Sequence, residues 1–276
     1  LGGKYYLAGD IVFTNGDFAP GGSFYNGGEG WLPIGTSAFP FEGIFDGNNH
    51  SIIGLTMTPD TDNSISAMFG ANSGTIRRLN ISAKVLAAKV EGTGTLTDIA
   101  ILAAINNKDA VIEYCSVSGS ITVEYATAVN PIRCASFAVH NYGTIRNCIS
   151  NTNISGMRTG KYQIAGIAVL NEGLISQCSS NGTLYAHSNS HSRVAGIAAL
   201  TAGNSVIESC YNSTDILCEM VGEIDISAYL GGINAVNDSG AAIRNCFNIG
   251  SVVTYFDGDD YNPIPNPNLA YCGGIS

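Results

Sequence analysis

Two histidines four residues apart, His187 and His191, come nearest in this chain to a metal-ligand spacing. Zinc hydrolysis calls for His-Glu-x-x-His on a helix, where two imidazoles one turn apart reach the same ion. Here the run reads His187-Ser-Asn-Ser-His191, carries no Glu and falls where no helix is expected, so it reads as a solvated loop. His50 sits in an N-terminal turn motif and reads as a packing or hydrogen-bonding residue. His140, beside another turn, reads as structural too.

The strongest binding candidate is the acidic loop Asp257-Gly-Asp-Asp260, flanked by Tyr255, Phe256 and Tyr261. Aromatic faces stack on sugar rings, so Tyr255, Asp257, Asp259, Asp260 and Tyr261 form a candidate glycan or protein contact. Closely spaced carboxylates also suit calcium, which takes oxygen ligands. Asp257, Asp259 and Asp260 are the candidate ligands, with a plain acidic loop as the rival reading; the full EF-hand pattern is absent. Asp60 and Asp62 are a weaker copy of the same idea. Trp31, the only Trp, reads as packed rather than as a sugar platform. No other cofactor or metal is expected.

Enzymes that cleave polysaccharides need two placed carboxylates. The row that would carry them reads Arg77, Glu113, Arg146, Ser176, Glu208, Arg244. It mixes signs, as a solvated face with weak ion pairs does. No Gly-rich phosphate loop followed by Lys and Ser/Thr occurs, and no Gly-x-Ser-x-Gly elbow. No catalytic residue is assigned, and the chain is not expected to be an enzyme.

That row belongs to a repeat, and the repeat must position every candidate above. Six segments share one pattern: Ile65 to Val85, Ile99 to Val123, Cys134 to Ser155, Ile164 to Ala186, Val194 to Leu217 and Leu230 to Val253. Each holds a short apolar run, an Asn-containing turn, then an Ile-x-x-Cys-like run. The anchors Ile76, Ile112, Ile145, Ile175, Ile207 and Ile243 are 36, 33, 30, 32 and 36 residues apart. Met68, Leu102, Phe137, Ile167, Ile197 and Ile233 share one position, four before the turn residue. That turn residue is Asn72, Asn106, Asn141, Asn171, Thr201 and Asn237. The turn has two lengths, the anchor following the turn residue by four positions or by six, variation that a solenoid tolerates because loops project outward.

Gly, Asn and Ser break the repeats every few residues, and β-branched residues fill the intervals. Short strands fit this better than helices. The fold expected is all-β, a single-stranded right-handed parallel β-helix with coils stacked at about 4.8 Å. The position three after each anchor then becomes a column: Leu79, Cys115, Cys148, Cys178, Cys210 and Cys246. Side chains in register on parallel strands point the same way, whereas a disulfide needs converging Cβ vectors. Reduced, buried thiols are therefore expected. Cys134 and Cys272 sit at the repeat start held elsewhere by Ile164 and Leu230. Cys218 has no evident partner in the pattern.

One domain over residues 1–276 is expected. Residues 1–64 form an atypical N-terminal cap and first coil, 65–253 the six repeats, and 254–276 a loop and the start of a further coil. The ending Tyr271-Cys-Gly-Gly-Ile-Ser276 repeats the opening of Leu230-Gly-Gly-Ile-Asn234, which suggests a fragment of a longer protein. The start, Leu1-Gly-Gly-Lys4, lacks a signal peptide's basic start and apolar run, as a trimmed mature chain also would.

Composition agrees. Only 12% of residues are charged and Gly numbers 34, which suits a turn-rich β chain. The net charge of −10 argues against nucleic acid as a partner. No stretch approaches eighteen consecutive apolar residues, so no membrane insertion by helix is expected.

The N-terminal order Tyr5-x-Leu7-x-x-Asp10-Ile11, Trp31-x-Pro33-Ile34-Gly35, then Phe41-x-Gly43-x-Phe45-Asp46-Gly47-x-x-His50-x-Ile52-x-Gly54-Leu55 resembles the start of bacterial GLUG-repeat β-helix domains. Repeats such as Ala165-Gly-Ile-Ala-Val-Leu-Asn-Glu-Gly-Leu-Ile-Ser-Gln-Cys178 are similar to the GLUG motif itself. The chain departs from it at Ala168 and Ala198, and the repeat at Ile99 to Val123 lacks both glycines. The resemblance implies a bacterial cell-surface or secreted protein. In some members, IgA-specific zinc metalloproteases, such repeats lie outside the catalytic domain.

The reading is thus a non-catalytic extracellular domain that presents loops to a glycan or host protein, or acts as a rigid spacer. The rivals are a β-helix polysaccharide hydrolase or lyase and an accessory module of a larger secreted metalloprotease.

Overall fold

The computed structural model describes residues 1–58, 65–87, 97–124, 130–221, 227–257 and 269–273. Its strands stack in parallel into four sheets of eight, six, eleven and seven strands, forming a β-solenoid. Each full coil visits all four. A start-sheet strand such as Tyr162–Ala165 leads to an asparagine-sheet strand, Ala168–Asn171. An anchor-sheet strand follows, Leu174–Ser176, and then the long sheet, as in Asp215–Val221 one coil later. The coils lie in register: Ile112 pairs with Ile76 and Ile145, and Ile175 with Ile145 and Ile207. Among the described residues no helix is long and apolar enough to cross a membrane.

The N-terminal residues join the same stack. Lys4–Tyr6 pairs with Ile44–Asp46, which pairs with Thr75–Arg77, and Ile11–Val12 pairs with Ser51–Met57. Trp31 is packed, as expected: its indole N–H donates to the Met68 carbonyl at 3.1 Å, and Phe24 stacks on its ring.

One residue per coil turns the chain from the anchor sheet into the long sheet. Arg78, Tyr114, Asn147, Gln177, Ser209 and Asn245 all adopt the left-handed region, with φ between 49° and 54°. None is glycine, so each carries a steric cost. The stacked coils on either side hold the bend in place.

A glycine sets the corner between the start and asparagine sheets. A Cβ at Gly166 would overlap the Ser180 hydroxyl, and one at Gly196 the Asn212 side chain. In the preceding coil the equivalent residue is Ser136, which accepts a hydrogen bond from the Ser150 hydroxyl at 2.8 Å.

The repeated asparagines are not loop residues facing solvent, as their turn position suggested. Asn72, Asn106, Asn141 and Asn171 are fully buried at strand ends. Each amide Nδ2 donates to the Oδ1 of the next coil: Asn72 to Asn106 at 2.9 Å, Asn106 to Asn141 at 2.8 Å, Asn141 to Asn171 at 2.8 Å. The Oδ1 atoms of Asn72 and Asn171 also accept the N–H two residues on, closing an Asx turn. Sequence reasoning caught the turn half of this role and missed the ladder half.

The ladder stops at Thr201, whose shorter side chain leaves the buried Asn171 Nδ2 without a hydrogen-bond partner. Thr201→Asn is expected to supply the missing acceptor and stabilise the chain by about 1 kcal/mol. The check is a rise in the urea midpoint with unchanged slope; a fall would show that the corner cannot take the longer side chain.

Candidate binding cleft on the outer face

The outward rows take two forms. On the anchor sheet, charges are paired between coils. Arg146 meets Glu113 at 2.6 Å, Arg244 meets Glu208 at 2.7 Å, and Arg77 and Arg78 both hold Asp46, at 2.9 and 2.6 Å. These pairs are the alternating row seen in the sequence. Asp46 is nearly buried and also accepts the Asn48 N–H at 2.9 Å. The Arg78 hydrogen bond, above all, holds its carboxyl down from an ordinary 3.8 to about 2. The lowered folded-state value means the carboxylate's contribution is complete above about pH 4 and is lost as pH falls toward 2. Asp46→Asn is expected to lower the urea midpoint at pH 6 and to flatten its decline between pH 4 and 2. An unchanged slope there would place the acid sensitivity elsewhere.

The start and asparagine sheets form the second kind of outer surface. In the start sheet, Asp98, Arg133, Gln163, Arg193 and Tyr229 stack in register. On the neighbouring sheet the stacked row is Ile105, His140, Leu170, Leu200 and Val236. The His140 imidazole Nε2 reaches across to Asp98 at 3.3 Å, so the two rows face one another over a concave corner. Small residues there are fully buried in a cluster apart from the main core, among them Ala100, Ala135, Val139, Ala165, Val169 and Ala199. These small side chains fill the corner beneath the two rows, which cover them from solvent.

At one end the two rows are tied together by charge. Asp98 accepts Arg133 Nε at 2.6 Å as well as the His140 contact, and all three side chains are largely buried. The Tyr142 ring stacks on His140 with an interplanar angle of 13°. Burial, with Glu172 nearby, raises the Tyr142 hydroxyl. Next along the row, Lys161, Gln163, His191, Arg193 and Tyr229 line an open pocket of about 300 Å³.

The thiols are spoken for. Cys115, Cys148, Cys178 and Cys210 are buried and Cys246 is half-buried; all are reduced, as are Cys134 and Cys218. Each column thiol donates to the carbonyl of the anchor isoleucine one coil back, at 3.6 to 3.8 Å, from Cys115 to Ile76 through Cys246 to Ile207. Burial pushes the Cys134 and Cys148 thiols up. Cys210 is pushed up to about 12, chiefly by its hydrogen bond with Cys178. These raised thiols stay protonated, and protonated thiols are poor nucleophiles; the Cys178 thiol is lowered instead, against its burial, by its hydrogen bonds with Cys148 and Cys210. Cys218 pairs in register with Ala186 and Thr254 and lies against the Met220 sulfur at 3.5 Å.

The sequence-predicted sites fare unevenly. His187 is not in a loop: it lies on strand Thr183–Ser188, because the long sheet continues through it. His191 precedes the next strand and is exposed. His50 Nδ1 donates to the Asp10 carboxylate at 3.2 Å. Tyr255 is exposed on the strand Val252–Asp257, in register with Glu219, to which Tyr185 donates at 2.6 Å. Asp257 ends that strand opposite Val221. Asp259, Asp260 and Tyr261, and likewise Asp60 and Asp62, lie outside the described residues. Among the described residues no group of three His, Cys, Asp or Glu side chains is placed to hold a metal.

Solved structures share this fold. A protein from Bacteroides ovatus described as a candidate immunoglobulin A1 protease superposes with a TM-score of 0.64 at 19% identity, over 99% of this chain and 78% of that one. A protein named IgA1 protease superposes with a TM-score of 0.60 at 16% identity, over 94% of this chain but 21% of its own length. A scan of family models finds no match, and a search of curated proteins finds none either. At these identities the likeness establishes the fold.

The pocket was missed because its walls are single residues one coil apart. Gln163, Arg193 and Tyr229 are scattered in sequence and meet only through the register. The signal available was the alternation in Tyr162-Gln-Ile-Ala165 and Ser192-Arg-Val-Ala195, where one polar residue interrupts each apolar start strand.

Proposed function

We propose that this chain is a non-catalytic β-helical module of a larger secreted or surface-exposed bacterial protein, one that binds or spaces rather than cleaves. The observation that supports it most is how the reactive groups are used. Thiols, carboxylates and the Asp98–His140 pair are engaged in contacts between coils. The Asp98–His140 pair holds an arginine, and the hydroxyl beside it is the stacked Tyr142 phenol, not a serine.

The two structural neighbours are named as immunoglobulin A1 proteases, and this chain corresponds to about a fifth of the longer one. That share suits an accessory region carried beside a catalytic one. The acidic stretch from Tyr255 to Tyr261, with calcium among its candidate ligands, is a second contact surface under this proposal.

The test is incubation of the purified chain with immunoglobulin A1 and with a panel of acidic and neutral polysaccharides. No new fragments are expected over a day at neutral pH. Cleavage of any of them that is abolished by Asp98→Asn or His140→Gln would overturn the module reading.

A further inference from the structure

The pocket beside the Asp98–Arg133 pair gathers two cationic side chains. The protein carries a net charge of −10, and the other arginines described above face carboxylates. Here Lys161 and Arg193 converge with His191 and Gln163, and neither Lys161 nor Arg193 has an ion-pair partner among the described residues. The Arg193 Nε is fully shielded from solvent and without a hydrogen-bond partner. A shielded guanidinium nitrogen left without an acceptor is costly and calls for one, whether a water, an ion or a ligand.

Register explains how the pocket is built. Gln163 pairs with Arg193, and Arg193 with Tyr229, on three successive coils. Lys161 and His191 immediately precede the strands Tyr162–Ala165 and Ser192–Ala195 and complete the lining of the pocket. One coil earlier, the residue stacked on Gln163 is Arg133, and Asp98 satisfies it. The same row therefore shows an arginine with its carboxylate and, two coils on, an arginine without one.

We propose that this pocket binds a carboxylate-bearing sugar residue. The Arg193 guanidinium is a planar fork matched to a carboxylate, and Lys161 adds a second positive charge. His191 and Gln163 offer donors and acceptors for ring hydroxyls, and the half-buried Tyr229 ring offers a face for the sugar. A cavity of about 300 Å³ is at the lower end of small-ligand sites and takes one monosaccharide unit.

The proposal deepens the module reading by naming a ligand class. The two fail separately: cleavage of a polymer would remove the module reading, and absent binding would remove the pocket.

The experiment is titration of the intact chain with D-glucuronate, D-glucose and inorganic sulfate, followed by heteronuclear NMR or calorimetry. Saturable binding of glucuronate is expected, with glucose at least about 10-fold weaker, since one charge-assisted hydrogen bond has that effect or more. Sulfate should compete but bind more weakly than glucuronate. Arg193→Gln should weaken glucuronate about 10-fold or more and Lys161→Gln by less, each with an unchanged melting curve. Arg193→Lys should restore part of the loss. The pocket assignment is overturned if glucuronate does not saturate by tens of millimolar, if glucose equals it, or if Arg193→Gln leaves binding intact. Sulfate binding as tightly as glucuronate would overturn the sugar and leave a plain anion site.

Discussion

Asn141→Leu is expected to lower the stability of the chain by about 2–4 kcal/mol, although leucine fills the space and is apolar. Asn141 stands in the middle of the ladder, receiving from Asn106 and donating to Asn171. Leucine would take the shorter acceptor from the Asn106 Nδ2, leaving it the Thr144 carbonyl at 3.4 Å, and would remove the donor to the Asn171 Oδ1. Each buried amide group left short of a partner costs roughly 1–3 kcal/mol. The comparison that isolates the ladder is Asn237→Leu, at the same position of a later repeat. Asn237 is exposed, so that change should stay within about 0.5 kcal/mol. Urea unfolding of the two variants side by side gives the answer. Equal losses would mean that the asparagines act through the turn alone.

Phe137→Ala should cost about 3–5 kcal/mol, the range for truncating a fully buried aromatic. Phe137 has no exposed surface and stands in the main core, in the interior column with Leu102 and Ile167. Its neighbours along that column are held by register, so the coils cannot close over the gap. In a solenoid each coil touches only the next, and the damage should stay local. Hydrogen exchange should therefore quicken most for amides near 100–106 and 164–171 and least near Lys4–Tyr6. Phe39, which is 80% exposed, is the control, and Phe39→Ala should be close to neutral. Uniform loss of protection along the whole chain would show that the coils unfold as one unit.

The architecture was legible because its cause is periodic. The anchor isoleucines and the residues three after them recur at nearly fixed intervals, and stacking requires that interval. The charge-paired row was legible for the same reason. Alternation of Arg77, Glu113 and Arg146 predicts ion pairs between neighbouring coils, and Arg146 does meet Glu113.

What escaped was whatever depends on the third dimension at a corner. Asparagine is common in exposed turns, so the sequence alone favours solvent. Only stacking turns Asn106 inward and lets its amide reach Asn141. Arg193 likewise is one ordinary arginine in a polar stretch until register places it between Gln163 and Tyr229. The left-handed corner at Tyr114 and Ser209 carried no signal either, since glycine, the residue that would announce it, is absent there.

The most direct test of the claim that these coils use their reactive groups for stacking is thiol labelling of the native chain at neutral pH. Cys115, Cys134, Cys148, Cys178, Cys210 and Cys218 should resist iodoacetamide for hours and react together once the chain is unfolded in urea. Rapid labelling of any of these six in the folded protein, or a mass two units lower for each cross-linked pair, would contradict it.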